Sequence, residues 1–490
     1  MIESKKQKEL ILYLVFSILF ALTIQQFPFF KGNSLHLLHA IKDFDFNKLQ
    51  NDWIANQTNH LPFFTYFNNI ILQVFPIKIL HIVHFCLLVS CSFFLFLICK
   101  NEFPNLNKIP LSLIWFSVFI LIYHEHSFFG GIAGQDIINE GYQPASFGVL
   151  FYIGIFLYLV KKDFYAVLFI CLSASFHPSY VLHSGFLLLG ISIYYAFTKE
   201  YKRLFRILIL YAILISPITI YTIYNFLLID KQLILEGQNI LLDRIPHHAL
   251  INNWFSYKDV LSILIYIISL FLIYKNKRIF IPLIVLGFLS IFFTLIQFFT
   301  ENNSLALTFP WRASVFLIPI STMIITSFLI QKFFSNKINL RTFSIILFTI
   351  IFSFFFIKNH FIKNSNKDFY KKLELTKKIN KNYDSIERIL IPVELTYIRM
   401  NTGLPIFIDW KHHAFKYSEI IIWKNRMNLA EKFFSSNEFE ERKLILENIN
   451  KIEKVSHILI YQKDLYNNCD TLIYDKKFAF IDAKKCYELN

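Results

Sequence analysis

Residues 310–331 read PWRASVFLIPISTMIITSFLIQ, a run of membrane-crossing length with a single charge, Arg312, near its head. Crossing the hydrocarbon core of a bilayer takes about 20 mostly apolar residues in a helix. A charge buried in such a helix costs about 2.5–3.5 kcal/mol unless it reaches water or meets an opposite charge. The stretch therefore predicts a span with a cation at its mouth. Similar apolar runs lie at 10–28, 77–99, 110–124, 146–160, 164–181, 182–198, 207–229, 258–274, 279–299 and 341–357, so about eleven spans are expected. The stretch 61–76 is apolar too. Asn68 and Asn69 interrupt it and Pro76 ends it, so it is expected at the interface and not across it.

Composition agrees. Of 490 residues 55% are hydrophobic, 18% aromatic and only 17% charged, against about 25% charged in soluble domains. This excludes a soluble enzyme and a disordered chain, and six Cys are too few for a disulfide scaffold. The net charge of +15 fits basic cytoplasmic loops better than nucleic-acid binding. Residues 1–360 hold 16 of the 34 acidic residues and residues 361–490 the other 18. The expected fold is an all-α polytopic transmembrane bundle over 1–360, with a long first outer loop at 29–76. A small extracytoplasmic α/β domain over 361–490 follows.

Orientation follows from the basic residues. With Lys5, Lys6 and Lys8 in the cytoplasm and strict alternation, 17 Lys and Arg of the membrane part fall inside and 9 outside, while the acids divide five to eleven. That is the positive-inside pattern. It predicts a cell (inner) membrane protein with a cytoplasmic N-terminus and an outer tail. In an oxidising compartment the tail's Cys469 and Cys486 either form a disulfide or stay as two lone thiols.

Polar chemistry collects in the outer loops. The first holds Asp43, Asp45, Asp52 and His60, with Leu35, Leu38, Ile41 and Phe44 at helical spacing, as in an amphipathic helix lying on the membrane. The second holds His124, Glu125, His126, Asp136 and Glu140 around Gly130, Gly131 and Gly134. These residues are hard and borderline ligands suited to a divalent ion such as Mg or Mn. A third carries Arg244, His247 and His248, and a fourth leads into Arg312. His177 and His183 fall in the same layer. In the tail, strands are expected at 388–392, 404–408, 456–461 and 471–474, with helices at 417–434 and 438–449. Arg399, Asp409, Lys411, His412 and His413 cluster after two of these strands. Neither a zinc spacing nor a phosphate-binding glycine loop occurs.

This layout resembles the GT-C class of integral-membrane glycosyltransferases: a cytoplasmic N-terminus, many spans, an acidic first outer loop and a polar outer tail. The segments Phe309-Pro310-Trp311-Arg312 and Asp409-Trp410-Lys411 also look like those of a group of bacterial polytopic membrane proteins. The first resemblance implies a polyprenyl-phosphate sugar donor, a glycan, lipid or protein acceptor, and often a divalent metal. The class's first-loop acid matches Asp52, and its second-loop acids match Asp136 and Glu140. An adjacent Asp-x-Asp pair in the second loop and an acceptor motif in the tail are both missing. On this reading Asp52 is the general base; Asp136, Glu140, His124 and His126 hold a metal or orient the donor; Arg244, Arg312, His247 and His248 neutralise phosphate. Arg399, Asp409 and Lys411 contribute from the tail. The alternatives are a transporter, flippase or polymerase for cell-surface polysaccharide, or a non-catalytic assembly protein. A carrier would need charges at mid-membrane depth, and the span centres are Phe, Ile and Leu.

Overall fold

The computed structural model describes residues 2–25, 34–42, 47–125, 128–139, 141–335, 340–362, 374–380, 386–466, 469–474 and 477–488. The chain is mostly helical, with several long apolar helices and one small sheet. It divides into two compact units.

The first unit comprises residues 1–29, 78–223 and 242–364. Among the described residues of the chain lie seven helices long and apolar enough to cross a membrane: Gln7–Ile24, Ile79–Glu102, Pro178–Phe197, Tyr201–Leu227, Lys277–Thr300, Asn303–Phe334 and Leu340–Phe361. These suggest a multi-pass membrane protein. Three shorter apolar helices, Ile109–His124, Pro144–Leu159 and Asp163–Phe176, pack with them, as does Tyr257–Ile273. Lipid offers no hydrophobic drive for helix pairing, so close packing and polar contacts must supply it. Both are present. A Cβ on Gly190 would meet the Pro282 backbone at 2.6 Å, so only glycine lets these two helices touch. Trp115 Nε1 donates to Ser327 Oγ at 3.0 Å, inside a cluster of Phe96, Phe116 and Phe119 rings.

One end of this bundle is tied by basic and acidic residues. Asn276 donates to both Glu102 carboxylate oxygens at 2.9 Å. Arg278, its guanidinium over the Tyr158 ring, donates twice to the Tyr158 carbonyl, at 2.6 and 3.1 Å, and lies 3.9 Å from Asp163.

The second unit gathers residues 30–77, 224–241 and 365–490. Its sheet has strand order β1-β2-β4-β3, with β1 Ile389–Leu390, β2 His457–Tyr461, β3 Thr471–Tyr474 and β4 Phe478–Asp482. β1 runs parallel to β2; the other pairings are antiparallel. The helices Tyr417–Ser435 and Phe439–Ile452 pack against each other. The first buries Ile420, Trp423, Met427, Ala430 and Phe433, a stripe of period 3–4. A disulfide joins Cys469 and Cys486.

The structure differs from the sequence expectation in three places. The residues 404–408 make only an isolated bridge from Ile406 to Ile389 and no strand. β4 had no counterpart in the sequence reading. Most important, Leu35, Leu38 and Ile41 do not form a helix lying on a membrane. They are buried in the second unit, as are His39 and Ala40 between them. A short 3₁₀ turn, Ser34–Leu37, runs into the single helical turn Leu38–Ile41, whose four residues are all buried. Phe44, Asp43 and Asp45 lie outside the described residues.

Candidate functional site

In the first unit, four loops converge on Arg312. Proline fixes the start of the 3₁₀ turn Pro310–Ala313, which leads into the helix Ser314–Phe334 and sets Arg312 at its head. Arg312 Nε donates to Gln135 Oε1 at 2.9 Å, and Nη1 to Ser179 Oγ at 2.7 Å. Its guanidinium stands 5.0 Å over the Phe309 ring. Ser179 Oγ is also 2.7 Å from His177 Nδ1. The buried His183 ring lies between the Ser179 carbonyl (3.0 Å) and the Pro310 carbonyl (3.3 Å), tying the two turns together. The Gln135 loop is pinned from behind: Ile132 N donates to Ser314 Oγ at 2.8 Å, and a Cβ on Gly131 would collide with Ser314 and Val315.

The electrostatics here are unbalanced. Arg399, Arg278 and Arg426 each have a carboxylate within 4 Å. Among the described residues Arg312 has none, and its donors go to a neutral amide and a hydroxyl. Arg442 also lacks a carboxylate, but backbone carbonyls of Ser436 and Asp464 receive its donors. Around Arg312, three buried donors have no acceptor: Gln135 Nε2, Trp311 Nε1 and Trp254 Nε1, the two indoles lying 5.0 Å apart. A half-buried cation beside unused donors is the chemistry of an anion site.

The other residues expected of this layer fall as follows. His248 Nδ1 donates to the Ala133 carbonyl at 3.2 Å. Burial first, then His247 and Arg312, push its pKa down to about 4, so at neutral pH its Nε2 is a free base with an acceptor lone pair. His247 is exposed and packs 4.1 Å from the His248 ring. Arg244 ends the helix Lys231–Arg244, half-buried. Asp136, half-buried, follows Gln135 and lies within electrostatic reach of Tyr180. His124 is directed elsewhere, stacked 4.0 Å on Phe355 with Nε2 3.3 Å from Thr23 Oγ1. His126 and Glu140 lie outside the described residues. Among the described residues no three His, Cys, Asp or Glu side chains form a metal-binding group.

In the second unit, Asp52, Arg399 and Asp409 do come together, wholly enclosed. All three side chains have no exposed surface. Asp52 Oδ2 accepts from Arg399 Nε and from Ile406 N, both at 2.9 Å, and Oδ1 accepts from Ala55 N at 3.1 Å. Arg399 Nη1 binds Asp409 Oδ2 and Nη2 donates to the Ile406 carbonyl at 3.2 Å. Asp409 Oδ1 further accepts from the amides of Lys411 and His412 and lies 2.8 Å from His412 Nδ1. Lys411 itself is half-buried beside this cluster. Burial alone would raise the Asp409 pKa; Arg399 and His412 outweigh it and hold it at about 2. Every oxygen of Asp52 is engaged and out of reach of solvent, so the geometry gives it a tethering role. The sequence could place these acids and bases but not their burial.

His39 gives this unit a pH dependence. Burial first, then Lys42, push its pKa down to about 4 from the usual 6.5. The unfolded chain protonates His39 first, so stability is full above pH 6.5 and is lost as pH falls to about 4. Asp409 adds a further loss below its ordinary carboxylate value, 3.8, down to about 2. Pulse proteolysis of the purified chain in urea should show the midpoint falling between pH 6.5 and 4, and His39→Gln should flatten that slope. An unchanged slope in the variant would exclude His39 as the source.

No family model matches this sequence, and no curated protein is significantly similar to it.

Proposed function

We propose that this chain is a multi-pass membrane glycosyltransferase that takes a sugar from a lipid-phosphate donor at the outer face of the cell membrane. The acceptor is a glycan, lipid or protein. One observation carries the reading: Arg312 stands at the mouth of an apolar helix with no carboxylate beside it among the described residues, and amid buried donors lacking acceptors. A phosphate ester supplies both the missing charge and the missing acceptor oxygens. Arg312 would hold the phosphate and Gln135 and Ser179 would hold Arg312. Asp136 is better placed than the enclosed Asp52 to take the acceptor's proton, being half-buried next to Gln135. His248, neutral at Nε2, is the second base in that layer.

Connectivity supports the topology this needs. The second unit's stretches 30–77, 228–241 and 365–490 hold no candidate span, and a unit of that kind folds on one side of a membrane, so the reading needs an even number of crossings between 77 and 228 and again between 241 and 365. The seven long helices put three in each interval, which is odd. Adding Ile109–His124, Pro144–Leu159 and Asp163–Phe176 makes six, and adding Tyr257–Ile273 makes four. Eleven crossings satisfy both conditions. The loops that meet at Arg312 then all follow odd-numbered crossings. The Glu102, Tyr158 and Asn276 contacts all follow even ones.

A reporter active only outside the cytoplasm should work when fused after residue 365 and fail after residue 278. A cytoplasmic tail would overturn the eleven-crossing reading and the outer site with it. The activity is tested by incubating vesicles with a radiolabelled polyprenyl-phosphate sugar and following transfer. No transfer to envelope glycan, lipid or protein, and no saturable donor binding, would sink the proposal.

A further inference from the structure

Beyond Arg278, the polar residues of the helix Lys277–Thr300 are Ser290, Thr294, Gln297 and Thr300. The three hydroxyls are satisfied locally. Each donates to the carbonyl four residues back, at 2.8, 2.6 and 2.7 Å, the usual outlet for such groups inside a helix. Gln297 is the exception. It is 5% exposed, and its Oε1 has no hydrogen-bond partner. Over residues 291–300 it is the one buried residue, while its neighbours Phe298 and Phe299 are exposed. In an apolar surrounding a polar side chain turns inward to find a partner. This one turns inward and finds none in the protein.

The face it shares leads to the Arg312 layer. Phe293, one turn before Gln297 on the same side of the helix, stacks on Phe186 at 5.4 Å. The Phe186 ring stands edge-on to His183, which hydrogen-bonds the Pro310 carbonyl at 3.3 Å. The helix also packs directly on the turn Pro310–Ala313 that carries Arg312. The unused groups of this end then fall into two kinds. Gln135, Trp254 and Trp311 hold N–H groups without acceptors, whereas Gln297 holds a carbonyl oxygen without a donor. Phosphate ester oxygens answer the first kind only. A hydroxyl gives as well as takes a hydrogen bond, and so answers the second.

We infer that Gln297 hydrogen-bonds a hydroxyl of the group esterified to the phosphate, so that this layer selects a polyhydroxylated phosphate ester, a sugar phosphate, over an alkyl phosphate. The inference rests on the phosphate reading of Arg312 and adds a residue that reads the sugar. A site built around a hydroxyl rejects a ligand lacking it, because the site's own polar group then stays buried and unpaired. Gln297 is thus a specificity residue, apart from the residues that hold phosphate or take the proton.

The test uses the full chain in lipid nanodiscs. Equilibrium binding is measured for inorganic phosphate, butyl phosphate and the 1-phosphates of glucose, galactose, mannose and N-acetylglucosamine. The proteins are the parent, Arg312→Gln, Gln297→Leu and Gln297→Asn, and the unfolding temperature of each is taken without ligand. The parent should bind at least one sugar phosphate about tenfold more tightly than butyl phosphate, the worth of one good hydrogen bond. Gln297→Leu should erase that preference and leave inorganic phosphate unaffected, while Gln297→Asn keeps part of it. Gln297→Leu should also unfold no earlier than the parent, since it removes an unpaired buried amide. A parent without the preference, or a preference that survives in Gln297→Leu, would overturn the inference alone. So would earlier unfolding of Gln297→Leu, which would show the amide to be held by the protein. Phosphate binding equal in the parent and in Arg312→Gln would instead refute the anion reading, and the inference would fall with it.

Discussion

Arg312→Gln should abolish donor-dependent sugar transfer, by about 10²–10³-fold, the usual cost of removing one aimed donor to developing anionic charge. The glutamine keeps a polar end but no charge, and cannot hold Gln135 Oε1 and Ser179 Oγ at once as Arg312 does through Nε and Nη1. Arg312→Lys restores the charge without the planar fork, so partial recovery is expected. Initial rates against donor concentration, in vesicles carrying equal amounts of folded protein, separate binding from turnover. Should both variants transfer sugar like the parent, phosphate is not bound at Arg312. A variant that loses activity together with its elution peak reports misfolding, and Ser179→Ala, which removes one holder of Arg312, then serves as the milder probe.

Asp52→Ala should unfold the second unit far more than it alters any chemistry. Removing one partner of a buried ion cluster leaves the others unbalanced and costs about 3–5 kcal/mol. It also strips the Ile406 and Ala55 amides of their acceptor. Protease resistance of the tail should fall, and any transfer activity should fall only in proportion to folded protein. Adding Arg399→Met to Asp52→Ala should recover part of the loss, because two opposite charges are then removed together. If Asp52→Asn leaves abundance and protease resistance intact while transfer disappears, Asp52 acts on substrate, as the first-loop resemblance implied, and the tethering role is wrong.

The two sites differ in how legible they were. The membrane helices could be read because lipid imposes one requirement, apolarity over a fixed length, that each segment meets alone. Arg312 could be read for the same reason: a lone charge heading an apolar run stands out. The second unit could not, since it draws residues 30–77 and 224–241 to the tail and nothing local announces that. Leu35, Leu38 and Ile41 show the limit clearly. Their spacing is the same whether the apolar side meets lipid or protein, and here it meets protein. Asp52 looked like a reachable carboxylate because its counter-ion lies 347 positions away. Within the tail, the strand expected over 388–392 is paired only at Ile389–Leu390, and β4 at Phe478–Asp482 went unread.

That separation sets a schedule for biogenesis. Ribosomes add about 5–20 residues per second, so Asp52 emerges roughly 20–70 s before the Arg399 that neutralises it. On the eleven-crossing reading proposed above, the first loop has by then been delivered across the bilayer, with Leu35, Leu38 and Ile41 bare and the carboxylate solvated. Its fold is completed only when the last crossing is threaded and the tail arrives. A chain truncated before Arg399 would hold every candidate membrane helix yet leave that loop without its counter-ion and open to proteases. Insertion and folding of this protein are thus separate events, and quality control has a long window in which to act between them.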